Sequence, residues 1–401
     1  MMFFKLSYDL GILFYYTIIL LSSFFGNEKA QKWISGRKDQ EKINRNKTIN
    51  DGFDFWIHCS SLGEFEQVRP IIDALKLKFK KSILLSFYSP SGYEIRKDYN
   101  HADLVVYLPL DKRSNAKLFI DSYKPKNVIW VKYDFWLNFL CEIRNDNIPI
   151  YLIGAITEKT SIGFFKKMLF EKAIKYFNYI FVQDKNTEKY ISTIIPKEMI
   201  EVVGDPRVDR VYNMNKNVNK IEEIKEFVAG KKVIIGGSTY NKENQFISKY
   251  IKDKDIKSII APPDINNKAI KEVVQIFNGD AILYSTWKKT KAQDKKILII
   301  DNVGMLAKLY QYADIAIIGG GFGKGIHNIL EPACFGLPIF FGPNYHKFLE
   351  AREMIMNKGA VSFKTYAHIE SQINVHLNNK EIYKKASESN KKYITSSIGA
   401  S

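Results

Sequence analysis

Ala313-Asp-Ile-Ala-Ile-Ile-Gly-Gly320-Gly-Phe-Gly-Lys-Gly-Ile-His327-Asn328-Ile-Leu-Glu331-Pro332-Ala-Cys-Phe-Gly336-Leu-Pro338 is an apolar run that empties into a glycine-rich turn and then a proline-bearing helix start. The run over 313–320 fits a buried strand. Glycine at this density lets the backbone turn tightly or lie against a ligand. Pro332 cannot sit deep in a helix, so the next helix begins only shortly before it. Asn328 and Glu331 then stand at the helix mouth, where free N–H groups favour an anion such as a phosphate. A carboxylate there also suits a ribose, because it can accept two hydroxyl hydrogen bonds. The same pair equally fits a capping box, with Asn328 as N-cap and Glu331 at N3.

Working outward, the same strand–turn–helix grammar recurs. Apolar runs expected as strands lie at 53–59, 82–87, 104–108, 128–133, 148–153, 179–183 and 200–203. A second series lies at 232–235, 257–261, 281–284, 297–300, 314–318, 338–341 and 361–363. Amphipathic helical stretches intervene, among them 68–79, 164–176, 242–251, 268–277, 305–312 and 348–356. Residues 287–296 read as a basic loop. This alternation predicts an α/β chain with two mainly parallel sheets, each covered on both faces. Two such domains in tandem place a cleft at the carboxyl ends of their strands.

The expected division is an N-terminal anchor with a basic segment over 1–47 and a first domain over 48–210. A polar linker with a short helix over 211–230, a second domain over 231–380 and a C-terminal helix over 381–401 follow. The chain has 401 residues and 46% hydrophobic content, enough for two cores. Cys59, Cys141 and Cys334 have neither metal-like nor disulfide-scaffold spacing.

A net charge of +17 favours an anionic partner, be it nucleic acid, phospholipid or a phosphorylated substrate. Residues 10–25 carry no charge, sit at the short end for a membrane span, and bring Tyr15, Tyr16 and several Phe suited to an interface. Lys29, Lys32, Arg37, Lys38, Lys42, Arg45 and Lys47 follow, so the positive-inside rule puts the rest of the chain in the cytoplasm. Asn27-Glu28-Lys29 is a poor signal-peptide cleavage site. A buried first helix of a soluble domain is the other reading of 10–25. Nucleic acid fits less well, since aromatic residues sit in core-like runs and not among basic clusters.

Three further constellations could carry chemistry. In Trp56-Ile-His58-Cys-Ser60-Ser61-Leu62-Gly63-Glu64, a strand feeds a short turn and Glu64 opens a helix. A carboxylate there can act as general base on a hydroxyl, or simply sit well on the helix dipole. In Ile235-Gly236-Gly237-Ser238-Thr239-Tyr240-Asn-Lys-Glu243-Asn244, small residues after a strand let N–H groups and two hydroxyls approach a phosphate, or supply an N-cap. In Val128-Ile-Trp130-Val-Lys132-Tyr133-Asp134-Phe-Trp136, aromatic residues could line a sugar or acyl pocket or pack in the core. Lys132 is the less ordinary residue, able to pair with a substrate phosphate or carboxylate. No P-loop, nicotinamide fingerprint, H-x-x-x-H pair or G-x-S-x-G elbow is present.

Taken in order, Ser61-Leu-Gly63-Glu64, Tyr88-Ser-Pro-Ser-Gly92, Gly237-Ser238-Thr239 and Gly325-Ile-His327-Asn328-Ile-Leu-Glu331-Pro332-Ala-Cys-Phe-Gly336-Leu-Pro338 resemble the 3-deoxy-D-manno-octulosonic acid (Kdo) transferase family, from the apolar N-terminus to about residue 365. That resemblance implies a GT-B fold, two Rossmann-like domains facing each other across a cleft, with a membrane-anchor helix at the inner membrane and the catalytic domains on its cytoplasmic side. It implies CMP-Kdo as donor, a lipid A precursor (lipid IVA) as acceptor, lipopolysaccharide inner-core synthesis, and no metal or other cofactor. Glu64 falls on the family's base. Gly237, Ser238, Thr239, His327, Asn328 and Glu331 fall in its nucleotide site, with Ser61, Gly63 and Lys132 as possible substrate contacts. The chain departs from the family at Val131–Trp136 and at Ala261-Pro-Pro-Asp264, where a basic donor contact is missing and Lys268 is the nearest replacement. Rival readings are a GT-B enzyme for another nucleotide sugar and a non-catalytic membrane-associated nucleotide binder.

Overall fold

The structure, a computed structural model, describes residues 2–44, 51–132, 134–157, 163–216, 218–292 and 294–400. Its contacts divide the chain into two compact units, Met1–Arg210 with Gly399–Ser401, and Val211–Ile398.

The first unit is built on seven strands: β1 Phe55–Cys59, β2 Ile83–Phe87, β3 Leu104–Tyr107, β4 Val128–Val131, β5 Ile150–Ala155, β6 Tyr179–Val182 and β7 Ile200–Val202. They run in the order β3-β2-β1-β4-β5-β6-β7, all parallel. Continuous apolar runs form such strands because both faces are covered. Trp56 points to one face and meets Trp130, Phe119 and Phe139. Ile57 and Cys59 point to the other and join Phe65, Val68 and Ile129. The chain winds from β1 out to β3, then returns to lay β4 on the other side of β1. The gap between β1 and β4 is therefore the topological switch point, where open α/β sheets take ligands.

The second unit repeats the plan with β8 Lys232–Gly237, β9 Ile256–Ala261, β10 Ala281–Leu283, β11 Ile297–Ile299, β12 Ile315–Ile318, β13 Ile339–Phe341 and β14 Ala360–Ser362. The order is β10-β11-β9-β8-β12-β13-β14, again parallel throughout. Its switch point lies between β8 and β12. Each of the fourteen expected strands is present within a few residues of its expected bounds.

Four local expectations need correction or placing. The basic loop over 287–296 begins later, because Tyr284–Thr290 is a helix. Trp287 is fully buried there against Phe227, its indole N–H donating to the Ala292 carbonyl at 3.2 Å. The helix expected over 305–312 is a short Leu306–Leu309 helix followed by a 3-10 turn, Tyr310–Tyr312. Residues 211–230 carry part of the helix Pro206–Lys216 and all of Glu222–Val228, with Val211, Ile224 and Phe227 buried. Arg45, Lys47, Tyr133 and Gln293 lie outside the described residues.

Two helices precede β1: α1 (Met2–Phe24) and α2 (Glu28–Asn44). Over Lys5–Phe24, α1 is long and apolar enough to cross a membrane. One side of it packs on the first unit. Tyr8 and Ile12 are buried, and Tyr16 and Ile19 continue the stripe against the first unit's core. The Tyr8 hydroxyl donates to Asp111 Oδ2 at 2.5 Å. The Asp111 carboxylate also accepts the N–H groups of Asn138 and Phe139 at 3.1 and 3.0 Å. Arg37 of α2 donates to the carbonyls of Leu108 (2.9 Å) and Tyr88 (2.7 Å), its guanidinium stacked over Trp33. The other side of α1 exposes Leu10, Leu13, Phe14 and Leu21.

Candidate active site

In the first unit, β1 ends at Cys59, Ser60 and Ser61 make the turn, and α3 (Leu62–Leu77) begins. Glu64 stands in the first turn of α3. Its Oε2 accepts the backbone N–H of Ser60 at 2.5 Å and of Ser61 at 3.2 Å. Among the described residues Oε1 accepts no hydrogen bond. One oxygen is thus pinned while its partner stays available. Burial pushes the Glu64 carboxyl up, and the charge of Asp134 adds to this, to about 7. The Ser60 and Ser61 N–H groups and the Lys132 charge oppose the rise and do not cancel it.

Lys132 and Asp134 follow β4, so they stand at the same switch point as Glu64. Lys132 adopts the left-handed region, with φ of 63°, an uncommon conformation for a non-glycine residue. Its N–H donates to the Ile153 carbonyl at 3.0 Å. Gly63 is exposed beside Glu64, and a Cβ there would meet only the Ser61 hydroxyl, at 3.9 Å.

Under this turn lies a buried polar chain that sequence reasoning did not single out. The Trp56 indole N–H donates to Ser86 Oγ at 2.7 Å. Ser86 Oγ is 2.9 Å from His58 Nδ1, and His58 Nε2 is 3.3 Å from Ser60 Oγ. Burial, reinforced by the Arg37 charge, drives the His58 imidazole down to about 3, so it is neutral. The available signal was the period of two that puts His58 on the same buried face as Trp56.

In the second unit, two glycine-rich segments meet at the β8/β12 switch point. Gly319 N–H donates to the Gly237 carbonyl at 3.0 Å, and His327 N–H donates to the Gly319 carbonyl at 3.0 Å. A Cβ on Gly319 would run into the Ser238 carbonyl, which is why only glycine fits there. Ser238 itself is left-handed, φ 52°. Thr239 Oγ1 is buried without a hydrogen-bond partner among the described residues. The Tyr240 ring stacks on His327 at 5.7 Å, with its hydroxyl 3.3 Å from Nε2. Burial moves the His327 imidazole down.

Glu243, in the first turn of the helix Asn241–Ile251, ties the two segments together. Its Oε1 accepts Gly320 N–H at 3.1 Å and its Oε2 accepts Tyr240 N–H at 3.3 Å. Burial raises its carboxyl despite those bonds. The sequence reading gave Tyr240 and Glu243 no role of their own, and Tyr310 lay outside its constellations. The Tyr310 hydroxyl packs on Gly237, and after burial the Glu331 charge is what pushes its phenol upward. Asn328 Oδ1 accepts Leu330 N–H at 3.0 Å.

The capping-box reading of Asn328 and Glu331 needs correction. The helix is only Leu330–Cys334 and its N-cap is Ile329, so Asn328 binds from one residue further out. Lys268 sits in the first turn of the helix Asn267–Ile276, exposed, and takes no part in the contacts among these segments. Among the described residues no group of three His, Cys, Asp or Glu side chains is arranged to hold a metal ion.

Comparison with known proteins adds lineage to this geometry. A family profile described as 3-Deoxy-D-manno-octulosonic-acid transferase (kdotransferase) matches residues 28–210. A 3-deoxy-D-manno-octulosonic acid transferase of Aquifex aeolicus is 29% identical over 318 residues, 76% of this chain and 80% of that one. A bifunctional glycosyltransferase/methyltransferase of Fusobacterium nucleatum is 26% identical over 347 residues, 83% of this chain. This chain spans about half of that relative, 53%. A UDP-GlcNAc 2-epimerase from Neisseria meningitidis, solved bound to UDP-GlcNAc, shares the fold at a TM-score of 0.61 and 13% identity, over 86% of this chain and 99% of its own.

Proposed function

Since the chain belongs to the 3-deoxy-D-manno-octulosonic acid transferases, a family of glycosyltransferases, we propose that it transfers Kdo from CMP-Kdo to a hydroxyl of a lipid A precursor, lipid IVA, in lipopolysaccharide synthesis. The observation that carries the mechanism is Glu64: one oxygen pinned by two N–H groups, the other open, and a carboxyl held near neutrality. A base with that pKa is charged enough at pH 7–8 to act and basic enough to take a proton.

In this scheme the Glu64 carboxylate removes the proton of the acceptor hydroxyl as its oxygen attacks the anomeric carbon of Kdo. The new C–O bond forms on the face opposite the departing group. The bond from that carbon to the phosphate oxygen breaks, and CMP leaves with the electron pair, inverting the anomeric centre. Lys132 stands beside the base as a contact for an acceptor phosphate or carboxylate, with Ser61 and Gly63 shaping the approach.

We assign the donor to the second unit. Gly237, Ser238 and Thr239 offer backbone N–H groups and hydroxyls to the phosphate, where preorganised dipoles stabilise the charge that develops on CMP. His327 and Asn328 flank them, and Glu331 accepts the ribose hydroxyls. Lys268 is the candidate for the basic contact missing at Pro262-Pro263. No step uses a metal or cofactor.

The membrane enters through α1. Its exposed Leu10, Leu13, Phe14 and Leu21, followed by the lysines of α2, suit an anionic bilayer surface. We assign the protein to the inner membrane, with both units on the cytoplasmic side.

The test is transfer of radiolabelled Kdo from CMP-Kdo to the lipid precursor, with the product identified by mass spectrometry. Absence of a Kdo-bearing lipid from active-folded protein in a membrane-mimetic defeats the proposal. Stabilisation by UDP in place of CMP favours the rival nucleotide sugar.

A further inference from the structure

We propose that His58 is a positioning residue for Glu64, acting through Ser60 to fix the turn whose N–H groups hold the carboxylate. The inference rests on the reading of Glu64 as the base. Its footing is a continuous chain of contacts: Trp56 Nε1 to Ser86 Oγ (2.7 Å), Ser86 Oγ to His58 Nδ1 (2.9 Å), His58 Nε2 to Ser60 Oγ (3.3 Å), Ser60 N–H to Glu64 Oε2 (2.5 Å). Trp56, His58 and Ser86 are completely buried and Ser60 nearly so.

A buried imidazole needs a reason, because an unsatisfied polar group in a core is costly and an apolar residue of that size would pack as well. Here both ring nitrogens face hydroxyls carried by different elements, β2 and the β1–α3 turn. The ring lies 4.4 Å from that of Trp130, which prevents it from swinging away. His58 therefore joins the turn bearing the base to the rigid centre of the sheet. That is the support a catalytic carboxylate needs, since small misplacements cost rate steeply.

The charged and titratable groups near this chain are few. Cys59, Lys132 and Asp134 face Glu64, and Arg37 of α2 faces His58. A change in the pH profile on altering His58 reports on how Glu64 is held. Loosening Ser60 weakens an N–H bond that lowers the Glu64 pKa, so the limb must move to higher pH.

The experiment measures kcat, KM and pH profiles of the full chain in detergent micelles with CMP-Kdo and the lipid precursor. His58→Phe is expected to lower kcat roughly 10–100-fold, with KM little changed and the acidic limb of the pH profile displaced upward. His58→Gln, which retains donors and acceptors, should recover much of the loss. Ser60→Ala keeps the backbone N–H but cuts the link to His58. It should shift the limb the same way, and it preserves the test if His58→Phe does not fold. Folded variants with lower melting points but an unmoved limb and unchanged kcat overturn the proposal. A fully active Glu64→Gln enzyme instead overturns the assignment of the base, so the two failures are distinct.

Discussion

Ser60 donates its backbone N–H to Glu64 Oε2 at 2.5 Å, and Glu64 is nevertheless held near neutrality. A helix N-terminus and two N–H donors would by themselves make a strong acid. Burial and the neighbouring Asp134 overcome them. A carboxylate that is oriented by hydrogen bonds and yet basic is an unusual combination for a mere helix-start residue. It favours use over capping.

Glu64→Gln should lower kcat by about 10²–10⁴, the range of general-base contributions. The donor KM should change little, because Glu64 lies in the first unit and the nucleotide site is assigned to the second. A steady-state transfer assay over a range of labelled CMP-Kdo concentrations reads both quantities. Near-wild-type kcat would remove Glu64 from the mechanism.

The pH dependence has two signs that can be checked separately. Catalysis needs the ionised carboxylate, so kcat/KM should rise with pH through about 7. Stability runs the other way. A carboxyl raised from 4.5 to about 7 in the folded state contributes stability below its unfolded pKa and loses it as pH rises through 7. Glu64→Gln, neutral at every pH, should therefore gain on the wild type in melting temperature between pH 5 and pH 8. Each kcal/mol corresponds to roughly 2–4 °C for units of this size. Parallel melting curves across that range would contradict the raised pKa.

How much of this was readable in advance follows from where the information lies. The fourteen strands are legible because a strand buried on both faces is apolar almost throughout, as β4 and β12 are. Glu64 and the glycine segments are legible because turn geometry restricts residue type locally. Trp287 misled, because an aromatic residue among lysines looks solvated until Phe227 is known to cover it. The Glu243 link, the Tyr310 contact with Gly237 and the His58 chain each join residues far apart in sequence or on neighbouring strands. No local pattern encodes those pairings. The five-residue helix at Leu330 likewise depends on the packing of Ile329 and Leu330, both fully buried, more than on the Asn328 signal.

Tyr8→Phe should loosen α1 from the first unit. The substitution keeps the ring in its buried slot but takes away the hydroxyl that Asp111 accepts, leaving a buried carboxylate short of a donor. Removing one such partner costs about 1–3 kcal/mol. Hydrogen exchange over residues 2–24 should accelerate while that of β1 and β2 does not. Unchanged exchange along α1 would show that the apolar stripe of Ile12, Tyr16 and Ile19 suffices.

Gly319→Ala tests the second unit's switch point without touching a functional side chain. The added Cβ collides with the Ser238 carbonyl, a backbone atom that cannot rotate away. The β8 and β12 loops must then separate. CMP should no longer raise the melting temperature of the variant, although the remainder of the sheet stays folded. A wild-type CMP-induced shift would place the nucleotide away from these loops.

Glu243 offers the sharpest test of whether those loops form one binding surface. Its two oxygens serve N–H groups on different segments, Gly320 and Tyr240. Alanine leaves both donors unpaired and removes the carboxylate that bridges the two segments, leaving the Tyr240–His327 contact between them. Glutamine keeps one acceptor but presents an amide N–H to the second donor, so it should be intermediate. If the carboxylate merely capped its own helix, Tyr240 would be affected and Gly320 would not, and CMP binding would survive. If it sets the spacing of the loops, CMP affinity measured by calorimetry should fall about tenfold or more in Glu243→Ala, equivalent to about 1.4 kcal/mol. It should fall less in Glu243→Gln. Equal affinity across wild type and both variants would reduce Glu243 to a helix cap.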